Sequence, residues 1–225
     1  MSLVVGTIAD DTALVLVDTD AAGIDAAMGA VKHQAAPKLH TLFLQRAVIT
    51  GRGPIAVIAT AHHFATCAMV DFDALAEAMP LLCRRAWLQV AALATYVGNP
   101  PLGPASIHLV GWSRAAQRMR AYQYTMAPDV PVFGVASVEP RFAAPIIEGE
   151  RLEFGLPSMK SYARAQIRWI RERFPDEASG GPLICATITR DTIALSDVGV
   201  VNQPTPATRV ASDFATVAGA AGWSR

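Results

Sequence analysis

Ser2, directly behind the start methionine, is the first residue of this 225-residue chain whose position could carry chemistry. Removal of Met1 is expected when a small residue follows it, and it would leave a hydroxyl and a free α-amine on one residue. Other candidates carry less. His62 and His63 are adjacent, so on a helix or a strand they point apart. No Asp, Glu or His follows them at helical ligand spacing, and no metal site is expected. His33 and His40 read as surface or strand residues. Cys67, Cys83 and Cys185 are few and far apart, which fits reduced thiols rather than a disulfide frame. Gly51-Arg52-Gly53 is too short to cradle a phosphate. Trp87, Trp112 and Trp169 read as core or interface anchors, and the arginine-rich stretch 164–173 as a solvated face or an inter-subunit contact.

The elements that must position these residues are mostly strands. LVVGTIA and TALVLVD flank Asp10-Asp11, a turn signal, and predict a hairpin. DAAGIDAAMGA at 20–30 reads as a loop of small residues. KLHTLFL, RAVIT and PIAVIATA read as further strands, with a turn at 51–53. From Asp71 to Val97, apolar residues recur at three- and four-residue spacing. That predicts a helix capped by Asp71 or Asp73 and kinked or split at Pro80. NPPLGP breaks the pattern. Strands resume at SIHLVGW, RMRAYQYT and VPVFGVAS, a second helix covers about 157–174, and PLICATIT and DTIALSDVGVV close the series. Hairpin-type connections favour antiparallel pairing. The expected fold is α+β: two antiparallel sheets sharing a core, each covered outside by helices, a four-layer α-β-β-α sandwich.

Several motifs, in order along residues 2–200, resemble the proteasome-like branch of the N-terminal-nucleophile hydrolases. LVLVDTDAAG at 14–23 is similar to the family's hydrophobic strand ending in Asp before small residues and Gly. Lys38-Leu39 starts a strand where the family carries its catalytic lysine. HLVGWS at 108–113, followed by MRAYQYT, resembles its hydrophobic-Gly-aromatic strand and hairpin partner. DEASGG at 176–181 matches its Asp-x-x-Ser-Gly-Gly, and PLICATIT the strand after it. In the family the nucleophile precedes the strand-end Asp by about sixteen residues, and counting back from Asp18 reaches Ser2.

The resemblance implies roles. Ser2 would be the nucleophile and its own α-amine the base. An α-amine titrates at about 7.7–8.0 against about 10.4 for lysine, so near pH 7 it is partly neutral where a lysine is not; the difference corresponds to roughly 3.5 kcal/mol. A Lys38 ammonium would favour the neutral amine further. Asp18 would pair with Lys38 and orient it, Asp176 and Ser179 would hydrogen-bond the N-terminus, and backbone N–H groups near Gly51 would stabilise an oxyanion. The chain also departs from the pattern. Asp20 stands where a basic residue is common, Ser2 where Thr is usual, and the interval from Asp18 to Lys38 is longer, which makes Lys32 a competing lysine. Gly6-Thr7 resembles a processing junction that would put Thr7 first, closer to Asp18 than the family's spacing.

Composition bounds the rest. Hydrophobic residues make up 52% and charged residues 17%, yet no run has the roughly 18 apolar residues of a membrane span. Nineteen basic and nineteen acidic residues balance, which argues against broad attraction to nucleic acid or to anionic membranes. No secretory signal pattern is visible, so a cytoplasmic location is expected. Residues 1–205 read as one domain and 206–225 as a flexible tail. No cofactor is expected. The partners expected are further copies of the chain and a peptide or small amide substrate. Two functions follow: an amide or peptide hydrolase, or a non-catalytic proteasome-like subunit acting as an assembly or scaffold protein.

Overall fold

The computed structural model describes residues 3–25, 30–126, 134–138, 140–174 and 180–200. Five strands form one antiparallel sheet in the order β10-β1-β2-β11-β12: Arg141–Ala144, Val4–Ile8, Thr12–Asp18, Pro182–Thr189 and Ile193–Val200. Five more form a second sheet in the order β5-β6-β7-β8-β9: Leu39–Leu42, Ala47–Arg52, Ala105–Ser113, Arg118–Met126 and Gly134–Ser137. A separate hairpin pairs β3 (Asp20–Asp25) with β4 (Ala30–Ala35). The helices are α1 (Ile55–Ala68), α2 (Phe72–Tyr96) and α3 (Leu156–Arg173).

Strand alternation sorts the side chains into layers. On β2, Ala13, Val15 and Val17 face Val48, Val110 and Met119 of the other sheet. Leu14 and Leu16, on the opposite face, pack with Met159, Tyr162 and Ile167 of α3. On β6 and β7, Ala47, Ile49, Ile107 and Leu109 face α1 and α2, meeting Val57, Ile58, Leu75 and Met79. Three apolar layers between four structural layers make the α-β-β-α sandwich that the sequence predicts.

The local departures have physical reasons. PIAVIATA is not a strand: it opens α1, whose buried residues Val57, Ile58, Ala61 and Ala65 fall at helical spacing. Apolar neighbours on the half-exposed side hide that spacing in the sequence. The segment 20–30 is not simply a loop, since β3 and the start of β4 occupy it. Gly51 and Arg52 belong to β6 rather than to a turn, and the chain turns at Gly53, with φ of 115°. A short strand, β10, forms at Arg141–Ala144, where none is expected from the sequence. Pro80 does not split α2. It deprives the Ala76 carbonyl of its helical N–H partner, and the Tyr124 hydroxyl of β8 donates to that carbonyl instead, at 3.0 Å. Asp71 caps α2 as expected, accepting from the Ala74 N–H at 3.0 Å. Among the described residues no helix is long and apolar enough to cross a membrane.

Candidate active site

β2 ends at Asp18, a carboxylate with no exposure, and β5 is preceded by Lys38, 2% exposed. Lys38 Nζ donates to Asp18 Oδ1 at 2.8 Å. The same oxygen accepts the backbone N–H of Leu3 at 3.1 Å, and Oδ2 accepts that of Gly180 at 3.1 Å. Four segments distant in sequence thus meet on one side chain. Burial pushes the Asp18 carboxyl up from its ordinary value, while Lys38 and the two N–H donors pull it back down. All three groups point hydrogens at it, an arrangement that an acceptor-only carboxylate satisfies.

Each segment has a reason to be there. Asp18 lies opposite Leu183 in the β2–β11 ladder, and the Thr19 N–H continues that contact to the Pro182 carbonyl at 3.1 Å. Gly180 and Gly181 have φ of 117° and 75°, conformations that glycine alone adopts without strain. They turn the chain into β11 while presenting the Gly180 N–H to Asp18. On the other side, Thr50 of β6 donates its hydroxyl to the Lys38 carbonyl at 2.7 Å. Gly51 is the next residue, and no Cβ fits there: it would overlap the Ser106 carbonyl oxygen and lie 3.3 Å from Ile58 Cδ1. A groove of about 380 Å³ opens beside Lys38 between the sheets, walled by Val17, Leu39, Ile184 and Leu195, with Thr19 and Asp197 as polar members.

The structure therefore brings Asp18 and Lys38 together and ties Lys38 to the strand that carries Gly51. Ser2, Asp176 and Ser179 lie outside the described residues, although their neighbours Leu3 and Gly180 both bond Asp18. The side chains of Lys32 and Asp20 also lie outside them. Thr7 is in the middle of β1, buried, with its hydroxyl directed at Met159 Sδ on the α3 side. Sequence reasoning missed Thr50 and the carboxylate-binding role of the Leu3 and Gly180 N–H groups. It also missed His108, fully buried between the sheets, cross-strand from Thr50 and Gln123 and stacked on Phe142 at 4.7 Å. Alternation along β7 places His108 on the same face as Val110, the one available signal. Burial pushes its imidazole down to about 4. His62 stacks on His40 at 4.8 Å, and no group of three or more potential metal ligands forms among the described residues.

No protein-family model and no curated protein matches the chain. Its structure matches 331 solved chains. Among them is the Anbu (Gly-1) mutant from Hyphomicrobium sp. strain MC1, with a TM-score of 0.55 over 90% of this chain and 89% of that one, at 12% sequence identity. The fold is proteasome-like. At such an identity the likeness concerns the fold alone, and the chemistry must be argued from the residues of this chain.

Proposed function

We propose that this chain is an N-terminal-nucleophile hydrolase of amide or peptide bonds, in which Ser2, exposed by loss of Met1, attacks the carbonyl and its α-amine takes the proton. The observation that carries the reading is the buried Lys38–Asp18 pair, whose carboxylate also holds the N–H of the residue directly after Ser2. An ion pair this deep is rarely kept for stability, because apolar residues of similar volume do as well or better. A charged lysine beside an α-amine favours its neutral, proton-accepting form. Lys38 would thus tune the base, Asp18 would orient Lys38, and Asp176 and Ser179 would hydrogen-bond the amine. The N–H of Gly51 would meet the oxyanion, and water would release the acyl-enzyme. The groove beside Lys38 offers room for a peptide or a small amide. Three free cysteines, one of them exposed, fit the proposed cytoplasmic setting.

The scaffold reading draws on a different observation: α2 leaves Leu81, Leu88, Leu93 and Tyr96 exposed, side chains suited to contacts between copies of the chain. Intact-mass spectrometry before and after a β-lactone probe separates the two. Loss of Met1 with a single adduct that Ser2→Ala abolishes is the outcome expected of the hydrolase. A chain that keeps Met1, or takes no adduct, would move the assignment to the scaffold.

A further inference from the structure

The groove beside Lys38 has a far end, and that end carries a charge. Its floor is one cross-strand row of the first sheet: Val17 of β2 lies opposite Ile184 of β11, which lies opposite Asp197 of β12. All three line the groove. Neighbouring strands are about 4.8 Å apart, so the row runs roughly 10 Å from Val17, next to Asp18, to the Asp197 carboxylate at the sheet edge. Leu195 shares the inner face of β12 with Asp197 and Ile193. Ile193 packs into the core between the sheets, whereas Leu195 stays 51% exposed as an apolar wall of the groove. The polar side chains are committed in all but one case. The Thr19 hydroxyl donates to the Pro182 carbonyl at 3.1 Å, and Lys38 to Asp18. Asp197 uses Oδ1 to accept the Gly199 N–H at 2.9 Å, and among the described residues it forms no ion pair. Asp18 balances Lys38, so Asp197 sets the net charge of the groove, one negative.

We propose that this groove takes an unbranched alkyl chain ending in a cation, an ammonium or a guanidinium, as the acyl side chain of the substrate. The inference rests on the hydrolase reading and narrows it from amides in general to amides of basic amino acids. Lysine and arginine bury their methylene stems along apolar surface while the charged head stays in water. Val17, Ile184 and Leu195 supply that surface, and Asp197 supplies the partner where water still reaches. A neutral alkyl chain would cover the walls and leave the carboxylate unmatched. An anionic chain would set like charges together. A short cationic chain held near Lys38 would stop short of Asp197. At about 380 Å³ the groove lies at the lower end of small-ligand sites, room for one long side chain and the amide next to it.

Methyl resonances of Val17, Ile184 and Leu195 in the full chain test the groove without turnover, titrated with hexylammonium, hexanol and hexanoate as probes. Hexylammonium is expected to bind about three- to fivefold tighter than hexanol, the range for a charge pair that water still reaches, and to lose that margin in high salt. Hexanoate is expected to bind more weakly than either. Asp197→Asn should bring hexylammonium down to the affinity of hexanol. The melting temperature should hold, because asparagine keeps an oxygen for the Gly199 N–H. Methyls that do not move, equal affinity for hexylammonium and hexanol, or a preference that survives in Asp197→Asn would each overturn the assignment. Turnover ties the groove to the reaction: kcat/KM for an acetyl-lysyl aminomethylcoumarin amide should exceed that for the acetyl-norleucyl amide by a similar factor, and the acetyl-glutamyl amide should be the poorest. The two readings fail separately. A Ser2 adduct without any preference for the lysyl amide would sink the cationic side chain and leave the hydrolase. Cation-selective binding in a chain that takes no adduct would sink the hydrolase, and with it the acyl role of the groove.

Discussion

Among the described residues, two ion pairs join distant segments, and they differ in surroundings more than in geometry. Lys38 and Asp18 meet at 2.8 Å with side-chain exposures of 2% and 0%, whereas Arg46 and Asp191 meet at 3.2 Å with exposures of 47% and 73%. Water solvates the second pair whether or not it forms, so its net contribution is small. In the first pair, Asp18 has exchanged water for two backbone N–H groups and the Lys38 ammonium. Removing either member strands the other in a medium that solvates it poorly. The contrast teaches that the distance between charges says little until the surroundings are known, and that a pair retained in such surroundings asks for a reason other than stability.

The comparison can be broken most directly at Lys38. Lys38→Ala is expected to cost about 3–5 kcal/mol in urea unfolding, the range for an orphaned buried charge, and to abolish acylation of Ser2. The double variant Asp18→Asn/Lys38→Met sharpens it: much of the stability should return, but the acylation should not. Acylation that survives in the double variant would remove Lys38 from the mechanism.

Next in size is a buried titratable group that has no ion-pair partner. His108 holds its imidazole at about 4 in the fold against an ordinary value near 6.5. The folded state therefore takes up the proton less readily than the unfolded one. Its contribution is complete above about pH 6.5 and is lost as the pH falls toward 4, by at most about 3 kcal/mol. Equilibrium unfolding across that window should show the slope, and His108→Leu should flatten it. His40, also pushed down to about 4, adds a smaller part of the same sign because water reaches it.

Gly51→Ala follows, with an expected cost of about 1–3 kcal/mol from a methyl forced against the Ser106 carbonyl and Ile58. A melting temperature unchanged by this substitution would show that β6 and β7 can part at the site. Smallest is Arg46→Ala, expected to change stability by less than about 1 kcal/mol and to lose even that in high salt.

What could be read in the sequence follows from the range of the forces involved. The β1–β2 hairpin, α2, α3 and the β11–β12 hairpin announce themselves because their periodicity and turn residues lie within a few positions. α1 does not, because a run such as PIAVIATA is apolar on nearly every side and periodicity cannot tell a buried strand from a helix. β10 has four residues and owes its conformation to β1, a partner more than a hundred positions away. The candidate site is the extreme case. Nothing near Asp18 in the sequence says that Lys38, Leu3 and Gly180 converge on it; only the resemblance of ordered motifs joined Asp18 and Lys38. Thr50 fell outside those motifs and His108 opened one of them without a role in it, and only strand alternation could have turned them inward.

The order of strands in the first sheet carries a consequence for synthesis. β2 pairs with β1 at once, but its other neighbour, β11, lies some 160 residues further along the chain. At translation rates of about 5–20 residues per second, that interval is on the order of ten seconds or more. The second sheet, drawn from consecutive strands, is free to form meanwhile. Throughout the wait one edge of β2 stands open, and Asp18 lacks its Gly180 hydrogen bond. A nascent chain would therefore carry both its aggregation hazard and an unfinished site until nearly the last strand leaves the ribosome, so that completing the sheet and completing the carboxylate's cradle become one event in the life of the molecule.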